Sequence, residues 1–379
     1  MAIQSPPKIL ISINTSWNVY NFRSGLVQAL VAAGYEVVVA APEDGHSARL
    51  ADLGCRYIAL PMDNQGTSPR SDIRLYRNYR RLMRAEKPDC FLGWTIKPNI
   101  YGTLAAQSLG IPAINNISGL GTAFIRGGWL SRLAKSLYRL ALRRSATVFF
   151  QNRDDRALFV DQKLVQRERT ALLPGSGIDL TRFSAAPMNG RPAADLCFLL
   201  IGRILWDKGL AEFVAAARQV RARHPKVRFQ ILGFLDAANQ TAVPRSEVDR
   251  WVAEEGIDYL GTTDDVRPFI ADADCIVLPS YREGTPRTLL EAAALGRPLI
   301  ATDVPGCREV VDNGSNGLLC AVRDAEDLAR CMLEMIAASP AERAEMGAFS
   351  RSKVEREFDE QIVIDRYLAA IRLALPSPP

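Results

Sequence analysis

The sequence predicts an α/β protein built as two doubly wound parallel sheets, and three observations carry that prediction. Apolar runs of strand length alternate with helical segments from one end of the chain to the other. Several of these runs are apolar throughout instead of alternating with polar residues, as befits strands covered on both faces. Near the middle of the 379 residues, a Pro/Gly-containing stretch at 183–192 interrupts the alternation, and the length suits two domains of ordinary size. A first domain over 1–187 and a second over 188–355 are therefore expected.

Taken in order, strands are predicted in the first domain at 8–13, 35–40, 56–60, 90–94, 112–116 and 146–150. In the second they fall at 196–201, 226–232, 258–260, 275–279 and 299–302, with a short one at 317–320. Neither domain places G-x-G-x-x-G after its first strand, which argues against a dinucleotide-dependent dehydrogenase.

Composition narrows the class. Hydrophobic residues at 48% and charged residues at 23% describe a globular chain that is neither disordered nor membrane-spanning. The chain opens almost directly on a strand, so no signal peptide is expected. Seven cysteines without C-x-x-C spacing, among them Cys197 and Cys275 inside apolar strands, read as reduced, buried thiols of a cytoplasmic protein. Charge is unevenly spread: residues 1–190 carry a net +11 and residues 191–379 a net −6. Two helical stretches hold much of the excess. One contains Arg70, Arg74, Arg77, Arg80, Arg81, Arg84 and Lys87; the other runs over 129–144, with Leu130, Leu133, Leu137, Leu140 and Ala141 at helical spacing opposite cations that include Arg139, Arg143 and Arg144. Such a helix suits an anionic lipid surface. An ordinary solvated helix is the plainer alternative. Nucleic acid is disfavoured, because no aromatic-basic interleaving or reader motif accompanies the charge.

The second domain is organised around the stretch from Asp274 to Asp303, which reads strand, loop, helix, strand. Thr285 suits an N-cap and Pro286 a first helical position. Gly296 and Pro298 mark the helix end. Glu283 precedes the helix and Glu291 lies in its second turn, roughly 8 Å further along the axis. Between them the N–H groups from Gly284 onward present a partial positive charge. A diphosphate between two hydroxyl-bearing rings matches that order of groups. Upstream, Gly202, Arg203, Lys208 and Gly209 form a strand-to-helix turn with two spaced cations. Arg203 suits phosphate bidentately and Lys208 as a point charge.

At this point the chain resembles a known family. Gly202-Arg203-x4-Lys208-Gly209, Leu260-Gly-Thr-Thr-Asp-Asp265-Val266, Pro279-Ser280-x2-Glu283-Gly284-x6-Glu291 and Asp303-Val-Pro-Gly306-x2-Glu309 are similar, in order and spacing, to the motifs of family-4 retaining glycosyltransferases of the GT-B fold. In the first domain, Asn14-Thr-Ser-Trp17-x4-Phe22-Arg23, Thr95-Ile-Lys97-Pro98-Asn99 and Asn115-Asn116-Ile-Ser118-Gly119-Leu-Gly121 resemble a bacterial branch that acts on polyprenyl-diphosphate-linked sugars. That branch assembles capsule, O-antigen and N-glycan precursors.

The resemblance implies two Rossmann-like domains facing a cleft, with a last helix near 356–374 returning to the first. It implies a UDP-sugar donor in the second domain and a lipid-linked acceptor at the first. Glu283 would lie by the donor sugar, Glu291 on the ribose, and Arg203 and Lys208 on the diphosphate. Gly202, Asp265, Val266, Gly284, Thr285 and Pro286 would line the donor site. A loop over 18–25, with Asn18, Asn21, Arg23 and Gly25, would close over phosphates or acceptor, joined on that side by Lys97, Asn116, Ser118 and Gly119. Two departures stand out. The first loop lacks the glycine pair of many relatives, and no histidine occurs near 115–125; His46 and His224 both lie in peripheral settings.

Charge development at the departing diphosphate is met by protein cations, so neither metal nor cofactor is expected. The Asp272-x-Asp274 pair precedes a strand, at the wrong end of the sheet for a metal site. Expected partners are the UDP-sugar, the lipid-linked acceptor and an anionic membrane surface at the cytoplasmic face. Two rivals share the architecture: a nucleotide-sugar epimerase, for which a histidine-poor site offers little acid/base chemistry, and a non-catalytic nucleotide-sugar-binding protein.

Overall fold

Side-chain alternation along each strand sets the layering. In β1 (Lys8–Ser12), Ile9 and Ile11 enter one core while Leu10 enters another on the opposite face, as period-two geometry requires. The computed structural model describes residues 6–63, 66, 68–119, 128–188, 190–235, 239 and 241–375, the side chains of 128–130 excepted. The chain divides into two units, Met1–Ser176 with Glu360–Pro379, and Gly177–Asp359.

In the first unit β1 is joined by β2 (Glu36–Ala41), β3 (Arg56–Ala59), β4 (Cys90–Trp94), β5 (Ala113–Ile117), β6 (Thr147–Phe150) and β7 (Thr170–Leu172). Their order is β3-β2-β1-β4-β5-β6-β7, and every pair is parallel. The order reverses between β1 and β4. A crevice at the carboxyl ends of such strands is where doubly wound sheets bind ligands. The helix Pro69–Glu86 covers one face through Leu75, Tyr79 and Met83. The other face is completed by the chain's last helix, Glu360–Ala374, whose Val363, Ile364, Tyr367, Ala370 and Ile371 recur at helical spacing and are buried. Tyr367 is packed between Trp94 and Phe149, with ring centroids 5.4 and 4.9 Å away.

The second unit repeats the plan with β8 (Cys197–Ile201), β9 (Arg228–Leu232), β10 (Asp258–Tyr259), β11 (Cys275–Leu278), β12 (Leu299–Thr302) and β13 (Gly317–Cys320). The order is β10-β9-β8-β11-β12-β13, again parallel throughout. Here the reversal lies between β8 and β11. Phe198 and Leu200 face a core with Phe213 and Trp251, whereas Leu199 and Ile201 face Leu289, Leu290 and Ala293.

Three expectations need correction. The division between units falls at Ser176 and Gly177, ahead of the 183–192 stretch, because Ile178 and Phe183 are already buried in the second unit's core. The anticipated loop over 18–25 is largely helical, with helices Ser16–Phe22 and Ser24–Ala32 broken at Arg23, whose φ is −140°. The helix after Glu283 starts at Arg287, with extended Pro286 as its N-cap residue and no side-chain cap. Thr285 is therefore not the N-cap residue.

Candidate active site

In the second unit the two principal motifs sit at the carboxyl ends of the two strands that flank the reversal. Gly202, Arg203 and Lys208 follow β8; Glu283 follows β11. Backbone locks the two loops together, with the Tyr281 N–H donating to the Asp207 carbonyl at 2.9 Å. Close approach demands glycine at two points. A side chain on Gly209, where φ is +72°, would lie 2.0 Å from the Pro279 carbonyl oxygen. One on Gly306, at φ +88°, would lie 2.2 Å from the oxygen of Gly284.

This packing brings Lys208 and Glu283, 75 residues apart, into an ion pair between side chains that are 21% and 13% exposed. Arg203 is exposed in the turn after β8. Glu291 lies on the helix Arg287–Ala294 and is 8% exposed. Burial pushes its carboxyl above the usual range, while Arg287, with Nε 3.1 Å from Oε1, acts in the opposite direction. Asp265 stands in the loop after β10, and its two oxygens accept from Arg267 Nε and Nη2 at 2.7 Å each. That guanidinium holds the Asp265 carboxyl below its ordinary range. Val266 is half-buried against the core that carries Leu289 and Leu290. These loops and this helix thus offer two cations (Arg203 and Lys208), three carboxylates (Glu283, Glu291 and Asp265), and a helix N-terminus whose first N–H groups have no i−4 partner within the helix. Arg287 and Arg267 were not singled out from the sequence, although the i, i+4 spacing of Arg287 and Glu291 is a legible signal.

In the first unit, Arg23 and Asn116 line one small cavity with Trp94, Glu360 and Tyr367. Arg23 is 8% exposed; its guanidinium carbon lies 5.2 Å from the Trp94 ring centroid, and its Nη1 donates to Asn18 Oδ1. Asn116 donates from Nδ2 to the Tyr367 hydroxyl at 2.9 Å. Gly25 leaves the room that the Glu360 carboxylate occupies, since a side chain there would lie 2.7 Å from Oε2. Ser118 and Gly119, half-buried, follow β5. Two expected members stand apart. Asn21 spends its amide on the Trp17 carbonyl at 3.0 Å, and Lys97 is ion-paired with Asp72 at 2.8 Å. Gly121, part of the third motif, lies outside the described residues.

Of the three arginines assigned to a lipid surface, Arg139 is otherwise engaged. It donates to the Lys163 and Gln162 carbonyls at 3.1 and 3.0 Å, closing the end of the helix Arg153–Asp161. Arg143 and Arg144 are exposed, as are Leu133 at 46% and Leu140 at 57%. Asp274, at the entrance of β11, accepts from the Cys197 N–H at 2.9 Å and from Arg191 at 3.2 Å. Asp272 also pairs with Arg191. Both carboxylates are thus held by strand and arginine, remote from the carboxyl ends of the strands.

Residues 196–338 match the family model described as "Glycosyl transferases group 1", and residues 22–175 the one described as "Glycosyl transferase 4-like domain". Over 366 residues the chain is 26% identical to the N,N'-diacetylbacillosaminyl-diphospho-undecaprenol alpha-1,3-N-acetylgalactosaminyltransferase of Campylobacter jejuni, covering 93% of this chain and 94% of that one. It is 24% identical over 292 residues to an Escherichia coli UDP-Gal:alpha-D-GlcNAc-diphosphoundecaprenol alpha-1,3-galactosyltransferase, covering 74% and 72%. Among solved structures, sucrose-phosphate synthase from Thermosynechococcus elongatus shares the fold with a TM-score of 0.80 at 20% identity, covering 97% of this chain and 98% of that one. Anabaena HepE in complex with UDP-glucose does so with 0.78 at 18% identity, covering 97% and 100%.

Proposed function

Since this chain belongs to the glycosyl transferases that those two families comprise, we propose that it transfers a hexose or N-acetylhexosamine from a UDP-sugar to a polyprenyl-diphosphate-linked saccharide, with retention at the anomeric carbon. The observation that carries the donor reading is the Lys208–Glu283 pair at the reversal of the second sheet, with buried Glu291 in the second turn of the adjoining helix. In the free protein Glu283 satisfies Lys208. A bound donor diphosphate takes over the cation and leaves the carboxylate to accept from sugar hydroxyls. Arg203, Lys208 and the helix N-terminus then stabilise the charge on the departing UDP, and Glu291 accepts from the ribose hydroxyls. The anomeric C–O bond to phosphate breaks as the acceptor oxygen bonds the same carbon from the same face. The acceptor's proton passes to the leaving phosphate oxygen, so the exchange balances without a further reactant.

The acceptor reading draws on the Campylobacter and Escherichia relatives, both named as transferases that act on diphospho-undecaprenol-linked sugars. Surface chemistry of the first unit supports a place at an anionic leaflet on the cytoplasmic side. No acidic residue occurs between Asp89 and Asp154. Leu133 and Leu140 are exposed on the helix Gly128–Leu142, and Arg143 and Arg144 are exposed just after its end. The helix Pro69–Glu86 exposes Arg70, Arg74, Arg77, Arg81 and Arg84 at alternating spacings of four and three, along one face. Among the described residues no helix is long and apolar enough to cross a membrane, so attachment would be peripheral. Each basic residue near such a surface contributes about 1 kcal/mol.

A thermal-unfolding screen of nucleotide-sugars tests the donor reading. A UDP-sugar is expected to raise Tm by mass action and an ADP- or GDP-sugar to do so less. Protection by none of them would remove the reading.

A further inference from the structure

Arg287 is held on three sides by groups of different kinds. Its Nε lies 3.1 Å from Glu291 Oε1, its Nη1 donates to the Gly177 carbonyl at 2.6 Å, and its guanidinium carbon lies 5.7 Å from the centroid of the Phe183 ring. The two ion-pair side chains are only 15% and 11% exposed. An exposed i, i+4 pair swings freely and contributes a few tenths of a kcal/mol. This one is fixed, because the planar fork spends one nitrogen on the carboxylate and another on the carbonyl, an arrangement a lysine cannot reproduce. Glu291 Oε1 is thereby claimed, while Oε2 has no hydrogen-bond partner among the described residues.

We propose that Arg287 is a positioning residue of the donor site, which holds the Glu291 carboxylate by Oε1 and leaves Oε2 to accept from a ribose hydroxyl. The inference rests on the donor reading given above. Four influences bear on Glu291: Arg287 from its own helix and Arg182 from the segment entering the second unit favour the charge, whereas burial and Asp265 oppose it. Burial is the largest of the four and already holds the carboxyl above its usual range; without Arg287 it would be raised further. Protonation would then convert one acceptor oxygen into a hydroxyl and weaken the hold on a sugar diol.

The test is titration of UDP into the full chain by calorimetry at about pH 6 and about pH 8, because a carboxyl raised further is protonated first at the lower pH. Arg287→Met is expected to weaken UDP binding about ten- to a hundredfold, the range for losing a charged hydrogen-bond partner, and to do so more at the lower pH. Arg287→Lys should recover only part of the loss. In a Glu291→Gln background, Arg287→Met should add nothing, since the two act as one unit. Wild-type affinity and pH profile in Arg287→Met, with binding lost in Glu291→Gln, would overturn the inference and leave the donor reading standing. Unchanged binding in Glu291→Gln would overturn both. Should Arg287→Met fail to fold, Arg287→Lys decides: wild-type affinity and profile there would refute the need for the fork.

Discussion

Replacing Gly306 with alanine perturbs the site without removing any group that touches substrate. The added carbon would lie 2.2 Å from the oxygen of Gly284 and 2.9 Å from the carbonyl carbon of Glu283. Carbon and carbonyl oxygen come no closer than about 3.3 Å, so the loop carrying Glu283 must retreat by about 1 Å. Misplacing a reacting group by that much costs on the order of 10² in rate. The backbone contributes separately: at φ +88°, an L residue costs about 1–2 kcal/mol. For a unit of this size that lowers Tm by roughly 2–8 °C. Steady-state turnover and thermal unfolding, measured on the same preparation, read the two effects apart. A variant with the lower Tm and undiminished turnover would refute the argument, because it would show that the place of Glu283 does not govern the reaction.

Other perturbations follow from the same geometry. Arg203→Ala or Lys208→Ala should lower turnover by about 10²- to 10³-fold, with little change in Tm for the exposed Arg203 and a lower Tm for Lys208, whose loss leaves Glu283 unpaired; normal rates in both folded variants would sink the diphosphate assignment. Glu291 is buried with its carboxyl raised above the usual range, so the folded state binds its proton more tightly than the unfolded one. Stability is therefore lost as pH rises from the ordinary glutamate range toward the raised value. The Tm of Glu291→Gln relative to wild type should accordingly be more favourable near neutral pH than in acid, and an equal offset at both would contradict this. Co-sedimentation with anionic vesicles should be salt-sensitive and fall in Arg143→Gln/Arg144→Gln. Arg139→Gln, which loses two carbonyl partners instead, should chiefly lower Tm, and equal, negligible binding to anionic and neutral vesicles would remove the membrane reading.

Parallel-sheet architecture was largely legible in the sequence because buried strands announce themselves as apolar runs. The twelve strands anticipated all form, most within a residue or two of the expected ends. β7 escaped because its three residues are only half-buried and carry no such run. The helix Ser16–Phe22 escaped for a related reason: only Ser16 and Val19 are buried in it, too few to set a period. Local chemistry misled at Thr285, a good capping residue displaced when Pro286 took an extended conformation at ψ 113°. Pairings between distant residues could not be read at all. That Lys208 meets Glu283, or that Lys97 turns to Asp72, depends on which strands lie side by side and which helix covers them. Arg139 likewise sits on the expected helix, yet its partners are carbonyls of a neighbouring turn.

The central claim is sugar transfer from a UDP-sugar to a lipid-linked diphosphate saccharide. The most direct measurement supplies radiolabelled UDP-sugars with a synthetic polyprenyl-diphosphate-linked GlcNAc or bacillosamine acceptor, in the presence of EDTA. Extraction of label into the organic phase, with UDP released in equal amount and neither product formed when the acceptor is omitted, is the predicted result. UDP-sugar converted to another UDP-sugar without acceptor and without UDP release would identify an epimerase instead, and label that stays in the aqueous phase for every donor would contradict the account.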